Sequence, residues 1–294
     1  LLLTFVILLS MTSCDLFNKG GAKPLNQEKP FVPKTAIELW EKIDRTMDAL
    51  NSYQCDMKME MVSFYQGREV RANSTSVFSE IDSKDEYAFM DETETVVEVP
   101  SLAKTENTKS LEAFYNGKMY VANKDSSSEQ KFVSEVTAEK YRELSNDDLL
   151  AMEDIDLTDC TKGEFSQKED GTWELSLSGY TKKTADAFLK QLEMENEDFG
   201  ADIYDLKITA KCNEKFRATT LAFELVFDEK ATVKPKFNSS STYSKFNEAK
   251  IDVSKINDKD YKLVADVYIL DNLEKSFDKY IAAQEGAFVS KIKS

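Results

Sequence analysis

Ser52-Tyr53-Gln54-Cys55-Asp56-Met57-Lys58-Met59-Glu60-Met61 is the stretch where the chain changes its period. Cys55, Met57, Met59 and Met61 alternate with Asp56, Lys58 and Glu60, which is the pattern of a strand with one thioether-rich face and one charged face. Gly67 marks the turn that follows. Immediately upstream the period is 3.6: Ala36, Trp40, Ile43, Met47 and Leu50 recur at helical spacing, and Thr35-Ala36-Ile37-Glu38 is a capping-box pattern shortly after Pro33. Thr35 to Leu50 is therefore expected to be an amphipathic helix with its apolar stripe turned inward. Trp40 on that stripe reads as core rather than ligand contact.

Downstream, period-2 segments follow one another. Arg68 to Ile81 and Glu86 to Val99 read as strands joined at Asp82-Ser83-Lys84-Asp85, with Tyr87 and Phe89 sharing a face with Val97 and Val99. Thr105 to Lys109 reads as a polar loop. Leu111 to Tyr115 and Lys118 to Asn123 form a hairpin around Asn116-Gly117, the strongest type I′ turn signal. A polar loop, Lys124 to Gln130, leads to an expected helix over Thr137 to Met152. Phe165 to Ser178 is a hairpin turned by Asp170-Gly171, and Thr181 opens a helix with Ala185, Phe188, Leu189 and Leu192 in one stripe. Ile203 to Lys211 places Tyr204, Leu206, Ile208 and Ala210 on one face, and Arg217 to Phe227 does the same for Leu221, Phe223, Leu225 and Phe227. Ala231 to Asn247 is a longer, more polar strand. From Lys255 onward Leu263, Val267, Leu270, Phe277 and Ile281 suggest a mostly helical extension, with Asp271-Asn272 as a cap between two helices.

Outward in the other direction, Asp15 to Lys34 holds Gly20-Gly21 and Pro24, Pro30 and Pro33, a tether that would span about 25 Å as flexible coil. Before it stands Leu1 to Leu9, apolar apart from Thr4. A bilayer-spanning helix needs about 20 apolar residues, whereas a signal-peptide core is this short. Thr12 and Ser13 precede Cys14, so the stretch resembles the lipobox of bacterial lipoproteins, with Met11 where that family usually has Leu. The resemblance implies a signal peptide over 1–13 and a diacylglyceryl (palmitate-type) anchor on Cys14. The chain is then expected to divide into the lipid anchor and flexible tether over 14–34, a half-barrel domain over 35–250 and a mostly helical extension over 251–294 packed on it. The localisation expected is extracytoplasmic, lipid-anchored to the bacterial cell membrane.

The formal charge of −16 disfavours nucleic acid and anionic headgroups as partners, and membrane contact is left to the Cys14 lipid. Histidine is absent from the 294 residues. No Ser-His-Asp or Cys-His nucleophile can be assembled, and the commonest transition-metal ligand is missing. Cys55, Cys160 and Cys212 have no C-x-x-C spacing; one disulfide plus a free thiol, or three thiols, fit equally. Asp154-Ile155-Asp156-Leu157-Thr158-Asp159 and Asn257-Asp258-Lys259-Asp260 lack the EF-hand glycine and terminal Glu and read as solvated loops. No G-x-G-x-x-G or G-K-[ST] loop occurs, and no carboxylate pair stands out among the many acids. The chain is expected not to be an enzyme, to carry no cofactor and to bind no metal.

Leu50-Asn51-Ser52-Tyr53 running into the methionine strand, the hairpin Phe114-Tyr115-Asn116-Gly117-Lys118-Met119-Tyr120-Val121, and the late Thr242-Tyr243-Ser244-Lys245-Phe246-Asn247 carry a second likeness. With the order of elements from Thr35 to Asn247, they resemble the open half-barrels of the LolA/LolB, LppX/LprG and RseB-like proteins, with Gram-positive lipoproteins as relatives. That resemblance implies an α+β fold in which a strongly curved antiparallel sheet wraps a few helices. It implies lipid-binding, with a lipid or acyl chain held by Met57, Met59, Met61, Phe89, Leu221 and Phe223, because methionine adapts to irregular apolar ligands. The same methionines would serve equally as plain core under the Thr35 helix. The alternative is a structural or sensory module of the cell envelope with a closed core, whose partners are envelope proteins. A surface hydrolase working on carboxylates is more distant.

Overall fold

The computed structural model describes residues 31–65, 68–84, 86–140, 159–191, 203–228 and 234–264. The stretch read as a lipobox, most of the expected tether, the 154–158 acidic stretch and everything after Val264 lie outside them.

The first helix, α1 (Ala36–Asp48), begins where the capping box places it. The Thr35 hydroxyl accepts the Glu38 N–H at 3.1 Å, while the Glu38 carboxylate reaches back to the Lys34 N–H at 2.7 Å. Ala36, Leu39, Trp40, Ile43 and Met47 are buried, and α1 packs against β7 (Cys160–Gln167) and β8 (Trp173–Tyr180). Gly163 on β7 permits that approach, because a Cβ there would lie 2.8 Å from the Ala36 Cβ. The chain just before α1 is pinned at the turn after β9 (Ile203–Cys212): the Phe31 ring meets Phe216 edge-on at 5.4 Å, and the Lys42 ammonium sits over both rings.

The remaining strands are β1 (Ser52–Tyr65), β2 (Arg68–Asp82), β3 (Tyr87–Val99), β4 (Lys104–Tyr115), β5 (Lys118–Lys124), β6 (Glu129–Glu135), β10 (Ala218–Phe227), β11 (Lys236–Ser244) and β12 (Lys262–Leu263). They form one sheet in the order β12-β6-β5-β4-β3-β2-β1-β11-β10-β9-β8-β7, antiparallel except where β12 runs parallel to β6. The protein is mostly sheet, large, curved and open, with few helices. A second helix, α2 (Lys182–Gln191), packs on β9, and the Thr181 hydroxyl caps it by accepting the Thr184 N–H. The two chain segments flanking this sheet's centre meet. Asn247 donates its N–H to the Ser52 carbonyl and accepts the Asn51 N–H on its side chain, joining the start of β1 to the end of β11.

Several local expectations are corrected. Thr105 to Lys109 is not a loop but part of β4, paired residue for residue with β3 from Glu98↔Thr105 to Glu94↔Lys109. Gln130, expected in a loop, belongs to β6, which pairs with β5. Both stretches are polar on each face, so the backbone ladder, not side-chain period, holds them in the sheet. Tyr204 is not on the apolar face: it is 77% exposed, and Ile203 is buried instead. The register of β9 against β10 shifts between Val226 and Phe227, and a one-residue slip exchanges the faces. No disulfide joins the three described cysteines; Cys55 and Cys212 are buried, and burial pushes the Cys212 thiol up to about 12. Lys255 to Val264 is not α-helical but contains short 3-10 turns and β12; the remainder of the expected extension lies outside the described residues, as does most of the Thr137–Met152 helix.

The sheet is covered on its inner face and on part of its outer face. The inner face carries the main apolar cluster with α1 and α2. Part of the outer face, at Met90, Ala113, Tyr120 and Val133, is covered by residues 249–264 through Ile251, Ile256 and Tyr261. That strap is held by Lys118 and Tyr120, each 2.6 Å from the Asp258 carboxylate, by the Lys255–Glu92 ion pair and by the Val264 N–H on the Val133 carbonyl.

Candidate functional site: the inner face of the sheet

Residues directly opposite one another on adjacent strands share a face, so the register sorts the inner surface into rows. Through Met61 the row reads Leu225, Phe237, Met61, Ala72, Val97. Through Met59 it reads Phe223, Ser239, Met59, Ser74, Thr95, Thr108, and through Met57 it reads Leu221, Ser241, Met57, Ser76, Thr93, Ser110, Asn123. The Cys55 row is Tyr243, Cys55, Phe78, Asp91, Glu112, Val121.

All six residues expected to line a ligand lie on this face and in one apolar cluster: Met57, Met59, Met61, Phe89, Leu221 and Phe223 are each under 5% exposed. Phe188 of α2 stacks on Phe223 at 5.5 Å, so that helix covers the β10 end of the row. Toward β2 to β4 the character changes. Ser74, Ser76, Thr93, Thr95 and Thr108 are buried hydroxyls facing inward, and Ser74 and Thr95 hydrogen-bond at 3.3 Å.

Beside this hydroxyl belt stands a carboxyl pair. Asp91 and Glu112 are direct cross-strand partners, 5% and 6% exposed. Asp91 accepts hydrogen bonds from the Ser76 and Thr93 hydroxyls. No hydrogen bond reaches Glu112 among the described residues; desolvation, and then the Asp91 charge, raise its pKa to about 8. On the same face the Asn123 Oδ1 and the Ser134 Oγ are buried without a partner. The pair is walled on its other side by aromatic rings: Phe78 stacks with Phe89 at 6.1 Å, and Tyr87 bridges Phe89 and Phe114.

Sequence reasoning missed the belt and the pair. Ser74/Ser76 and Thr93/Thr95 alternate with period 2, but hydroxyls on a strand read as the solvent side. Asp91 and Glu112 meet only through a register between strands. No three Asp, Glu or Cys side chains gather at metal-binding spacing among the described residues.

The sequence matches no protein-family model and no curated protein. Among solved structures, a DUF1329 family protein from Desulfovibrio piger ATCC 29098 is similar at 10% identity, over 77% of this chain and 98% of that one, with a TM-score of 0.24. A beta-barrel-like protein of domain of unknown function DUF1849 from Brucella abortus is similar at 8% identity, over 69% of this chain and 99% of that one, with a TM-score of 0.19.

Proposed function

We propose that the protein is a lipid-anchored extracytoplasmic binding or carrier protein, whose open sheet acts as a half-barrel holding a lipid or acyl chain against its inner face. The observation that carries this reading is the broad apolar field on that face, which the buried hydroxyls of Ser239 and Ser241 on β11 interrupt. It runs from Leu175 and Leu177 through Ile208, Phe223 and Leu221 to the methionines of β1, and helices rather than further sheet overlie it. The Cys14 lipobox adds a reason for the domain to stand beside lipid. Native mass spectrometry of the full chain tests it: co-purified lipid is the expected result, and a protein free of lipid after contact with lipid vesicles would overturn it.

A second reading is favoured by one specific observation. The near-complete burial of Met57, Met59 and Met61 fits a filled core, in which case the domain is an envelope interaction module that meets partner proteins through its acidic outside. Its mark is a protein that carries no lipid yet pulls down the same envelope partner with and without detergent.

A further inference from the structure

We propose that residues 249–264 form a releasable strap that restrains the β3–β6 wing of the sheet, so that this wing moves while the β7–β10 wing stays fixed. The register shows what the strap lies on. Gln54, Ser79, Met90, Ala113, Tyr120 and Val133 are successive cross-strand partners, a single outer-face row that crosses β1, β2, β3, β4, β5 and β6. The last four of them are the residues that Ile251, Ile256 and Tyr261 cover. The strap therefore runs across the strands and not along one of them. On the other wing the described helices do the bracing, α1 on β7 and β8 and α2 on β9.

Both ends of the strap are fixed. At one, Lys245 and Asn247 turn the chain out of β11 with φ 52 and 62, and Asn247 and Ala249 donate their N–H groups to the Ser52 carbonyl and hydroxyl. At the other, β12 adds to the edge of β6 and the Val264 N–H bonds the Val133 carbonyl at 2.9 Å. What lies between is weaker: Asp258 bridges Lys118 and Tyr120, Lys255 pairs with Glu92, and the Tyr120 and Tyr261 rings meet edge-on at 5.3 Å. Both ion pairs are partly exposed, where such pairs hold weakly and salt screens them. The apolar cluster under the strap is separate from the main cluster of the inner face, so lifting the strap leaves that core intact. There is also length to spare. Five strand spacings are about 24 Å, whereas the strap fully extended would reach about 50 Å. The 3-10 turns Val253–Lys255 and Asp258–Asp260 hold the surplus. A wing that moves would open the inner face to a ligand; that use rests on the carrier reading, whereas the strap itself does not.

The test is hydrogen exchange and spin-label distances on the full chain, wild type against Asp258→Ala, which removes both contacts to that carboxylate. Labels at Lys58 and Lys124, exposed on the outer face of β1 and β5, report the strapped wing, and labels at Asp56 and Lys211 on β1 and β9 report the other. Exchange about tenfold or more faster in the strap, β5 and β6 is expected, with a broadened Lys58–Lys124 distance and an unchanged Asp56–Lys211 distance. Exchange that changes nowhere or in the strap alone, with both distances as in wild type, overturns the proposal. Loosening of both wings does so too. Lys255→Ala, which breaks the pair with Glu92 from an exposed position, is the second variant if Asp258→Ala does not fold, and it must loosen the same wing. A protein free of lipid whose wing loosens as expected removes the carrier reading and leaves the strap; a lipid-loaded protein whose wing does not loosen does the reverse.

Discussion

At the scale of single residues, Glu112 makes stability depend on pH. Its pKa rises from the ordinary 4.5 to about 8 in the fold, so between those values the native state holds a proton that the unfolded chain has lost. Its contribution to stability is full below about pH 4.5 and declines as pH rises toward about 8, by up to about 1.4 kcal/mol per pH unit. Asp91 and Glu80, with the Cys55, Tyr53 and Tyr87 side chains, are the titratable groups on the neighbouring rows; β5 presents Met119, Val121 and Asn123. Denaturant unfolding should therefore show wild type losing stability from pH 6 to 8 and Glu112→Gln changing little; parallel curves would contradict the assignment. Gly179 is a second such point. It has φ +75, a Cβ there would collide with the Thr161 hydroxyl that donates to the Gly179 carbonyl, and the N–H groups of Gly179 and Tyr180 both go to Asp205. Gly179→Ala should cost more than about 1 kcal/mol, read as a lowered melting temperature. The glycine was visible in the sequence, but its crowding depends on β7 lying alongside.

At the scale of elements, the methionine strand decides between carrier and filled core. If β1 faces a ligand space, Met59→Trp abolishes lipid uptake at little cost; if it packs in a filled core, overpacking costs about 1–3 kcal/mol and wild type carries no lipid. Lipid content and thermal unfolding on that one variant separate the two. The 249–264 strap makes a different prediction. Tyr120→Phe removes the hydrogen bond to Asp258, which should cost about 1 kcal/mol and speed hydrogen exchange in the strap while β1 stays protected. Elements with a contrast between their faces, such as α1, β1, β8 and the Asn116-Gly117 hairpin with φ 52 and 69, were legible from the chain. The 104–109 part of β4, β6 and β12 were not, because polar strands owe their place to ladder partners far along the chain.

At the scale of the whole molecule, the proposed attachment and the proposed binding are separable. Cys14→Ala should release the protein from membranes without changing its unfolding, because two or more acyl chains anchor stably while one gives only about 10⁴ M⁻¹. A variant that still sediments with membranes, from a wild type that takes up no labelled fatty acid, would refute the lipid anchor. Phe31, in the stretch read as a tether, docks against Phe216 at the β9–β10 turn, which fixes where the chain enters the domain.

The sequence by itself determined the local conformations: period 3.6 in α1, period 2 in the apolar-faced strands, the cap at Thr35 and the turn at Asn116-Gly117. It also excluded histidine-based chemistry. These are properties of neighbouring residues, which the backbone expresses within a few positions. Only the tertiary structure decided that β1 lies at the centre between β2 and β11, that Tyr204 faces outward, and that Asp91 meets Glu112 under a belt of buried hydroxyls. Each depends on which strands pair and in what register, and a shift of one residue would turn every one of those side chains to the other face.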